Sequence, residues 1–449
     1  MANSKKLQSD ELPELVAAKL KQWVGAGQRL TLALSGGVDS VVLLDILAQL
    51  RAPLKFQLSA LYVNHQISPN ATAWGRFCAE SCSRRDVPCT QETVSLDRQA
   101  GESLEALARE ARYQVFARCD TDFMVLAQHL DDQAETLLLQ LLRGAGLKGL
   151  SAMPDVRGKG VAFIRPLLEV SRSLILDYAG KRRLTWVEDE SNGDVSFDRN
   201  FLRHDLLPVL GKRFPAYRET FARCARHFAE AAGLLDELAA IDGSGAIHEN
   251  RLDVAALRRL PPARAKNLLR HYLDQQGMTM PSALHLDNIL RQLTDARPDA
   301  RIRIRQGEHE LRRYRDVVHA LRLYDLSPEL SLPWQFEVKL ALPSGHLNFE
   351  RRRGEGVSVA RLATAPVTIR YRCGGERLRP ECGRPSRSLK NLLQETAVPP
   401  WERERLPLLF CGEELVFVPE VGIDCAYRAS QDEAGVVVKY VPAEVGKHV

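Results

Sequence analysis

The sequence predicts an α/β fold, with a parallel-sheet domain first, then a helical domain and then a small α+β domain at the carboxyl end. Three observations carry that expectation. Short apolar or β-branched runs alternate four times with helical patterns in the first half, the signature of a parallel sheet covered by helices. One of these runs ends in Ser35-Gly36-Gly37-Val38-Asp39-Ser40 and passes directly into a helical pattern. After Phe214 the strand signal fades into long helical runs, and prolines at 328, 333 and 343 then introduce short strands.

Taken in order, strands are expected at 30–34, 57–63, 90–96 and 123–127, and helices at 40–50, 71–85, 103–118 and 131–143. In an open sheet of this kind ligands bind at the carboxyl ends of the strands, so Ser35, the Asn64-His65 pair and Gln128-His129 should converge on one crevice. Helices are expected at 219–240, 264–276 and 282–293. Short strands at 336–339, 367–371, 415–418 and 436–440 follow, around one helix at 388–396. The corresponding domains are 1–220, 221–332 and 333–449.

A chain of 449 residues suits about three domains. A composition of 45% hydrophobic and 27% charged residues excludes a disordered or collagen-like protein. The polar start and the lack of any long apolar run argue against secretion or membrane insertion, and point to the cytoplasm. Nine cysteines without C-x-x-C spacing indicate reduced thiols rather than a disulfide framework or zinc site.

The 35–40 segment has readable chemistry. Its glycines let the backbone approach a ligand, and the N–H groups of Gly36, Gly37 and Val38 with the next helix's first turn favour an anion such as phosphate. Ser35 and Ser40 add hydroxyls. Asp39 would repel phosphate unless a divalent cation sat between them, which implies Mg²⁺. The pattern is not a Walker A loop, which needs G-x-x-x-x-G-K-[ST].

Further candidates lie downstream. Asp132 and Glu135 are three apart on one helical face, with His129 just before them, a cluster suited to orienting an amine or holding a cation. Asp131, Asp132 and Glu135 equally suit the positive end of a helix. Arg109 and Arg112 occupy adjacent turns beside Tyr113, and on their own read as well as solvated arginines, Arg109 pairing with Glu105. His65 lies just beyond a strand end, as a site residue or a loop hydrogen-bonder. Arg199 and Arg203, four apart behind an acidic loop, form a positive face for phosphate or a nucleobase carbonyl, or simply a solvated charge run.

The 35–40 segment resembles the pyrophosphate-binding loop of the N-type ATP pyrophosphatases, which cleave ATP between its α and β phosphates. On that resemblance the first domain is Rossmann-like and nucleotide-binding. The wider set, in this order, resembles the tRNA(Ile)-lysidine synthetases: the 35–40 loop, the His65 segment, 105–113, 129–136 with Arg143-Gly144, Arg165-Pro166-Leu167-Leu168 and 189–203. The segments Arg372 to Arg377, Ser388 to Leu393 and Val398 to Leu408 resemble that family's tRNA-binding tail. Gln128 stands where the family often has a second histidine.

The resemblance implies a ligase that joins L-lysine to C2 of the wobble cytidine in the CAU anticodon of tRNA(Ile), through an adenylated cytidine, with ATP becoming AMP and pyrophosphate. It implies Asp39 for Mg²⁺, Asp132 and Glu135 for lysine, His129 or a carboxylate for the amine proton, and Arg109, Arg112 and Arg203 for phosphate or cytidine. A homodimer is left open.

Local charge bears on the tRNA expectation. From Arg351 to Arg405 thirteen basic residues oppose six acids, an excess larger than the whole-chain +5, and from Arg291 to Arg315 eight arginines face four acids. With Tyr371 and Trp401 interleaved, these segments suit phosphates and stacked bases, although either one alone also reads as a solvated face. Two rivals remain. A tRNA 2-thiolation enzyme would use paired cysteines, and a non-catalytic tRNA-binding protein would have no need for Asp39, Asp132 and Glu135.

Overall fold

Strand and helix alternate through the first of the chain's two units, residues 1–234, before a different architecture begins in the second, residues 235–449. The computed structural model describes residues 8–96, 104–158, 161–297, 300, 302–322, 331–396 and 398–442. The amino-terminal unit runs α1 (Leu12–Trp23), β1 (Arg29–Ala33), α2 (Val38–Leu54), β2 (Gln57–Asn64), α3 (Ala71–Ser83), β3 (Cys89–Thr93) and α4 (Leu104–Ala117). It continues with β4 (Phe123–Val125), α5 (Leu130–Leu142), α6 (Leu147–Leu150), β5 (Val156–Arg157), β6 (Ala162–Ile164), α7 (Arg172–Lys181), α8 (Asp198–Phe201) and α9 (Leu207–Arg213). The four expected strand and helix pairs are all present.

These strands form one sheet in the order β3-β2-β1-β4-β6-β5, parallel except for β5. The order reverses at β1, so the loops after β1 and β4 open on a crevice at the switch point. Between the sheet and helices α1 and α7 lies α2, whose Val41–Leu44, Ile46 and Leu47 are all buried. That explains its nearly continuous apolar sequence, since a helix covered on both sides has little solvent face to mark.

Asp45 is the exception inside α2. Its carboxylate accepts from Arg85 Nε and Nη2 (both 3.1 Å), Arg182 Nε (3.3 Å), the Tyr178 hydroxyl (3.0 Å) and Gln49 Nε2 (2.8 Å). A buried charge tolerated this way needs every partner. The cluster ties α2 to α7 and to the turn after α3.

In the second unit, the last turns of α10 (Tyr217–Gly243) lead to β7 (Ile247–His248), β8 (Arg251–Asp253), α11 (Val254–Arg259), α12 (Pro262–Gln275) and α13 (Ala283–Asp295). Then come β9 (Arg303–Gln306), β10 (His309–Tyr314) and β11 (Val317–Arg322), in an antiparallel sheet ordered β7-β8-β11-β10-β9. The expected helices are there. The sheet packed on them was not expected, because the residues facing the helices, Ile304, Leu311, Val318 and Ala320, are few and are separated by charged residues, mostly arginine, on β9 and β10.

The carboxyl-terminal part holds two larger antiparallel sheets and a two-stranded one, Arg377–Leu378 with Arg387–Ser388. Of the larger two, one orders Ser331–Pro333, Val367–Arg370, Leu408–Cys411, Glu414–Val418 and Gly422–Ile423, and the other orders Lys339–Leu342, Gly345–Arg353, Ala434–Pro442 and Val357–Ser358. The expected helix forms at Leu389–Glu395. A strand at 336–339 does not form. Phe336 has φ 67°, a left-handed turn conformation, and the strand begins at Lys339 instead.

Tyr371 and Trp401 are not available for stacking on bases. Tyr371 is buried, its hydroxyl donating to Ser344 Oγ (3.0 Å). Trp401, 9% exposed, packs edge-on against His319 (5.2 Å) and Tyr314 (6.1 Å), with the Arg312 guanidinium 5.2 Å from its ring centroid. Both aromatics are core residues of this unit.

The Asp45 cluster yields a stability expectation. Asp45→Ala leaves Arg85 without its carboxylate, and should cost about 2–4 kcal/mol. Amide hydrogen exchange should show faster exchange across α2 and α7. Unchanged protection there would mean that the cluster does not tie these helices together.

Candidate functional site

The loop between β1 and α2 is shaped by packing beneath it. Gly36 adopts φ 85°, and a Cβ at this position would lie 2.7 Å from Val187 Cγ2 and 3.3 Å from Cys78 Sγ. Only glycine fits there without displacement. The Val187 N–H donates to the Gly36 carbonyl (3.0 Å), holding the loop down. The Ser40 hydroxyl donates to the Gly37 carbonyl (3.0 Å) and accepts from the Ser35 N–H (3.2 Å), and the Gly37 N–H reaches Ser35 Oγ at 3.3 Å. Ser40 is buried, so its hydroxyl braces the loop. What the loop offers an anion is the first-turn N–H groups of α2, which have no partner within the helix.

Across the crevice, the end of β4 delivers His129 as the residue before α5. Its N–H donates to Asp132 Oδ2 (2.9 Å), and its Nε2 lies 3.5 Å from that oxygen and 3.6 Å from Asp39 Oδ1. Asp39, His129 and Asp132, distant in sequence, therefore share one location. His129 is 2% exposed. Burial disfavours its charged form, but the carboxylates of Asp132, Asp39 and Asp131 outweigh this and raise its pKa above the ordinary value. Burial likewise opposes ionisation of Asp132, yet His129, Arg199 and Arg203 hold its pKa below the ordinary value.

Arg199 and Arg203 come from α8 (Asp198–Phe201) and the π-helical turn Leu202–Leu206 that follows it. Arg203 binds Glu135 in a fork, Nε to Oε1 at 2.7 Å and Nη2 to Oε2 at 2.9 Å. Arg199 spans both carboxylates, Nε to Glu135 Oε2 at 2.8 Å and Nη2 to Asp132 Oδ1 at 2.9 Å. Glu135 is 1% exposed. The expected two-pronged positive face thus closes on the expected acidic pair, and Arg203's pKa, which burial alone would lower, is raised by Glu135 and Asp132.

The α4 arginines reach the end of β2. Arg112 Nε donates to His65 Nε2 (3.2 Å), and Arg109 lies 5.2 Å from the Tyr113 ring centroid. The Glu105 side chain, the expected partner of Arg109, lies outside the described residues. Burial, and then the Arg112 cation, push the His65 pKa down to about 4.

Two supporting residues, Arg165 and Asp131, have partners that no local pattern shows. Arg165, fully buried, donates to Gln128 Oε1 and to the Pro154 carbonyl (2.8 Å), fixing the residue beside His129. Asp131 is taken by Arg218 and by the Arg172 N–H (2.9 Å), which sets the start of α5 against α7 and α10. Pairings across forty to ninety residues leave no mark on spacing.

The site fits Mg²⁺. Asp39 Oδ1 is buried with no hydrogen-bond partner among the described residues, and nowhere among them, this site included, do three His, Cys, Asp or Glu side chains come together as a ready-made metal cage. One available carboxylate oxygen beside a phosphate loop is how Mg²⁺ is commonly held, with phosphates and water completing its shell. The thiols nearby are of another kind. Cys78 and Cys82 are buried, burial pushing the Cys78 thiol up to about 12.

Comparison with known proteins gives three family matches along the chain. Residues 12–210 match the family model described as a PP-loop domain, residues 252–319 the TilS substrate binding domain, and residues 367–440 the TilS substrate C-terminal domain. The chain is similar to the tRNA(Ile)-lysidine synthase of Nitrosomonas europaea, with 47% identity covering 100% of this chain and 99% of the relative. To that of Coxiella burnetii it is 39% identical, over 92% and 93%. Among solved structures, the U34-tRNA thiolase NcsA of Methanococcus maripaludis aligns over 49% of this chain and 78% of its own, at 19% identity and TM-score 0.43. No helix among the described residues is long and apolar enough to cross a membrane.

Two expectations follow from the geometry. Gly36→Ala forces a side chain into a left-handed position against Val187, and should weaken ATP binding on the order of tenfold, measured by equilibrium dialysis. His65 has a folded pKa below its unfolded value, so the fold binds the neutral ring; stability from this group is present above about 6.5 and is lost as pH falls toward about 4. Imidazole NMR should find His65 neutral at pH 5.5, and Arg112→Ala should raise its pKa only partly, because burial remains. A wild-type midpoint near 6.5 would contradict the burial seen here.

Proposed function

The chain belongs to the tRNA(Ile)-lysidine synthase family, as its identity to a member along the full length shows, and we propose how its residues carry out the family's reaction. The enzyme is an ATP-dependent ligase that joins L-lysine to C2 of the wobble cytidine in the CAU anticodon of tRNA(Ile), releasing AMP and pyrophosphate. We assign catalysis to residues 1–220, and tRNA contact to 221–332 and 333–449. We assign the enzyme to the cytoplasm, where ATP, lysine and tRNA occur together.

The observation that carries the assignment is the meeting of Asp39, His129 and Asp132 beside the glycine loop, at the crevice between β1 and β4. In the first step the cytidine C2 oxygen attacks the α-phosphorus of ATP, the bond to the β-phosphate breaks, and pyrophosphate leaves onto the N–H groups of Gly36, Val38 and the rest of the α2 first turn, with Gly37, whose N–H is held by Ser35 Oγ, shaping the loop. Asp39 would hold Mg²⁺ through its available Oδ1, and the metal's contribution is to neutralise charge on the phosphates. In the second step the lysine ε-amine attacks C2 and the C2–O bond to AMP breaks. The amine must first lose a proton, and His129, made more basic by its carboxylate neighbours, is placed to accept it.

Asp132, facing His129, is our candidate for the lysine ammonium. Glu135 acts at one remove, because it is 1% exposed and is closed off by Arg199 and Arg203, which it fixes. Arg109 and Arg112, at the rim, are assigned to phosphate or cytidine contact, with Arg203 lining the far side.

A thiolating enzyme would need a reactive thiolate here. Cys78 beneath the loop is buried and held in its thiol form.

The test is direct. Unmodified CAU-anticodon tRNA(Ile), ATP, Mg²⁺, labelled lysine and protein should yield lysidine on nucleoside mass spectrometry. Asp39→Ala should abolish AMP formation; turnover at the wild-type rate in that variant would remove Asp39 from the mechanism.

A further inference from the structure

We infer that the outer face of the β9–β10 hairpin is a docking site for the phosphate backbone of tRNA, its arginines set in advance by the buried carboxylate of Glu310. The inference rests on the tRNA reading above, and says which surface of the second unit meets the nucleic acid and how it is organised.

The register makes the cluster. Arg305 lies directly opposite Glu310, and Arg303 opposite Arg312, so the four form a two-by-two block on one side of the sheet. Ile304 and Leu311, on the other side, belong to the core against the helices. Glu310 is 0% exposed although it sits on the face turned away from that core, because the arginines cover it. Arg303 Nε donates to Glu310 Oε2 at 2.6 Å, and Arg312 Nε donates to Oε1. Arg305, 67% exposed at its side chain, reaches the same carboxylate only at 3.7 Å, too far for a hydrogen bond.

Three guanidiniums around one carboxylate leave two positive charges in excess. Neutralising Glu310 does not require them, since hydrogen bonds from Arg303 and Arg312 already satisfy both its oxygens and, against the cost of burial, hold its pKa below the ordinary value. The surplus therefore serves something outside. An arginine held in place by a carboxylate loses less side-chain freedom when it takes up a phosphate, so the cluster is suited to polyanion binding beyond its charge alone. Arg312 is fixed from its other side by Trp401. The neighbouring Arg313 shows that arginine in this segment is not uniformly surface charge. It is buried on the opposite face, donating to the carbonyls of Leu293 (2.9 Å) and Ala296 (3.0 Å) at the end of α13.

The partner is taken to be RNA rather than an acidic protein because arginine forks in a row suit a repeating phosphate chain. The experiment measures affinity of the full-length protein for CAU-anticodon tRNA(Ile) by fluorescence anisotropy across a range of salt concentrations. Arg303→Ala with Arg305→Ala should weaken binding about tenfold and flatten the slope of log K against log salt by roughly 1.5, as expected for two lost phosphate contacts. ATP binding by the same variant should not change.

Arg303→Lys with Arg305→Lys keeps charge and loses the fork, and should retain most of the slope while losing part of the affinity. It also gives a reading if the alanine pair misfolds. Glu310→Gln adds net positive charge, yet should weaken binding several-fold by releasing the guanidiniums. Unchanged affinity and slope in the alanine pair would overturn the docking site, as would loss of binding to a polyglutamate probe alone. Tighter binding by Glu310→Gln would overturn the pre-setting role. If the wild-type protein bound tRNA with the expected slope but made no lysidine, the catalytic reading would fail and the docking site would stand.

Discussion

Two carboxylates can be buried at the head of α5 only because two arginines come to meet them. Glu135 has no access to water and Asp132 little, and a lone ion in such a place would cost several kcal/mol or be protonated. Arg199 and Arg203 remove that difficulty by forming charge-assisted hydrogen bonds from a segment more than sixty residues away. The pairing has structural consequences on both sides. It fixes the helix that begins at Asp198 over the crevice, and it leaves Asp132 Oδ2 free to receive the His129 N–H, which orients the histidine toward Asp39. The same bonds that make the acids tolerable thus set the geometry of the residue best placed to move a proton. Such a lock is weak evidence for stability, since a well-packed apolar core would do as well. Its value is positional.

The parts of this arrangement differ in how far they could be read from sequence, and the reason is range. The loop was legible because all its requirements are local: a strand, two glycines, an aspartate and a helix start fall within ten residues. The topology was legible for a related reason, since alternation of strand and helix fixes a parallel sheet and places the loops at one edge. The partners inside the site were not. Arg199 and Arg203 looked like a face open to ligand, and nothing in their spacing showed that Asp132 and Glu135 would occupy it. Asp131 read as a helix-end acid, but its partners are Arg218 and the start of α7.

The second unit shows the same limit in another form. Segment 303–322 reads as charged and irregular because the side of β9 and β10 turned away from the helices is occupied mostly by arginine and glutamate, so alternation is carried by few apolar residues. Trp401 and Tyr371 read as stacking platforms because they lie among arginines in sequence. In space each is enclosed, and the aromatic that seemed to face RNA joins the strands of β10 and β11 to the Pro400–Arg403 turn. A basic segment is therefore a poor measure of basic surface. Of adjacent residues Arg312 and Arg313, one caps a helix inside the fold and the other stands over Glu310.

Counting charges by partner sharpens the picture of the catalytic crevice. Asp132 and Glu135 are balanced by Arg199 and Arg203, and Asp131 by Arg218. What remains is Asp39, whose Oδ1 has no hydrogen-bond partner among the described residues and lies 3.6 Å from His129 Nε2, and His129 between carboxylates. A triphosphate entering this space meets backbone N–H groups on one side and the Asp39 carboxylate, which has no arginine partner among the described residues, on the other. Backbone donors alone do not offset that repulsion at close range, because two like charges a few ångströms apart in a partly dry site interact by several kcal/mol. A cation at Asp39 converts the repulsion into a bridge. The glycine loop and the aspartate beside it are consequently one device, and neither has a purpose in the crevice without the other.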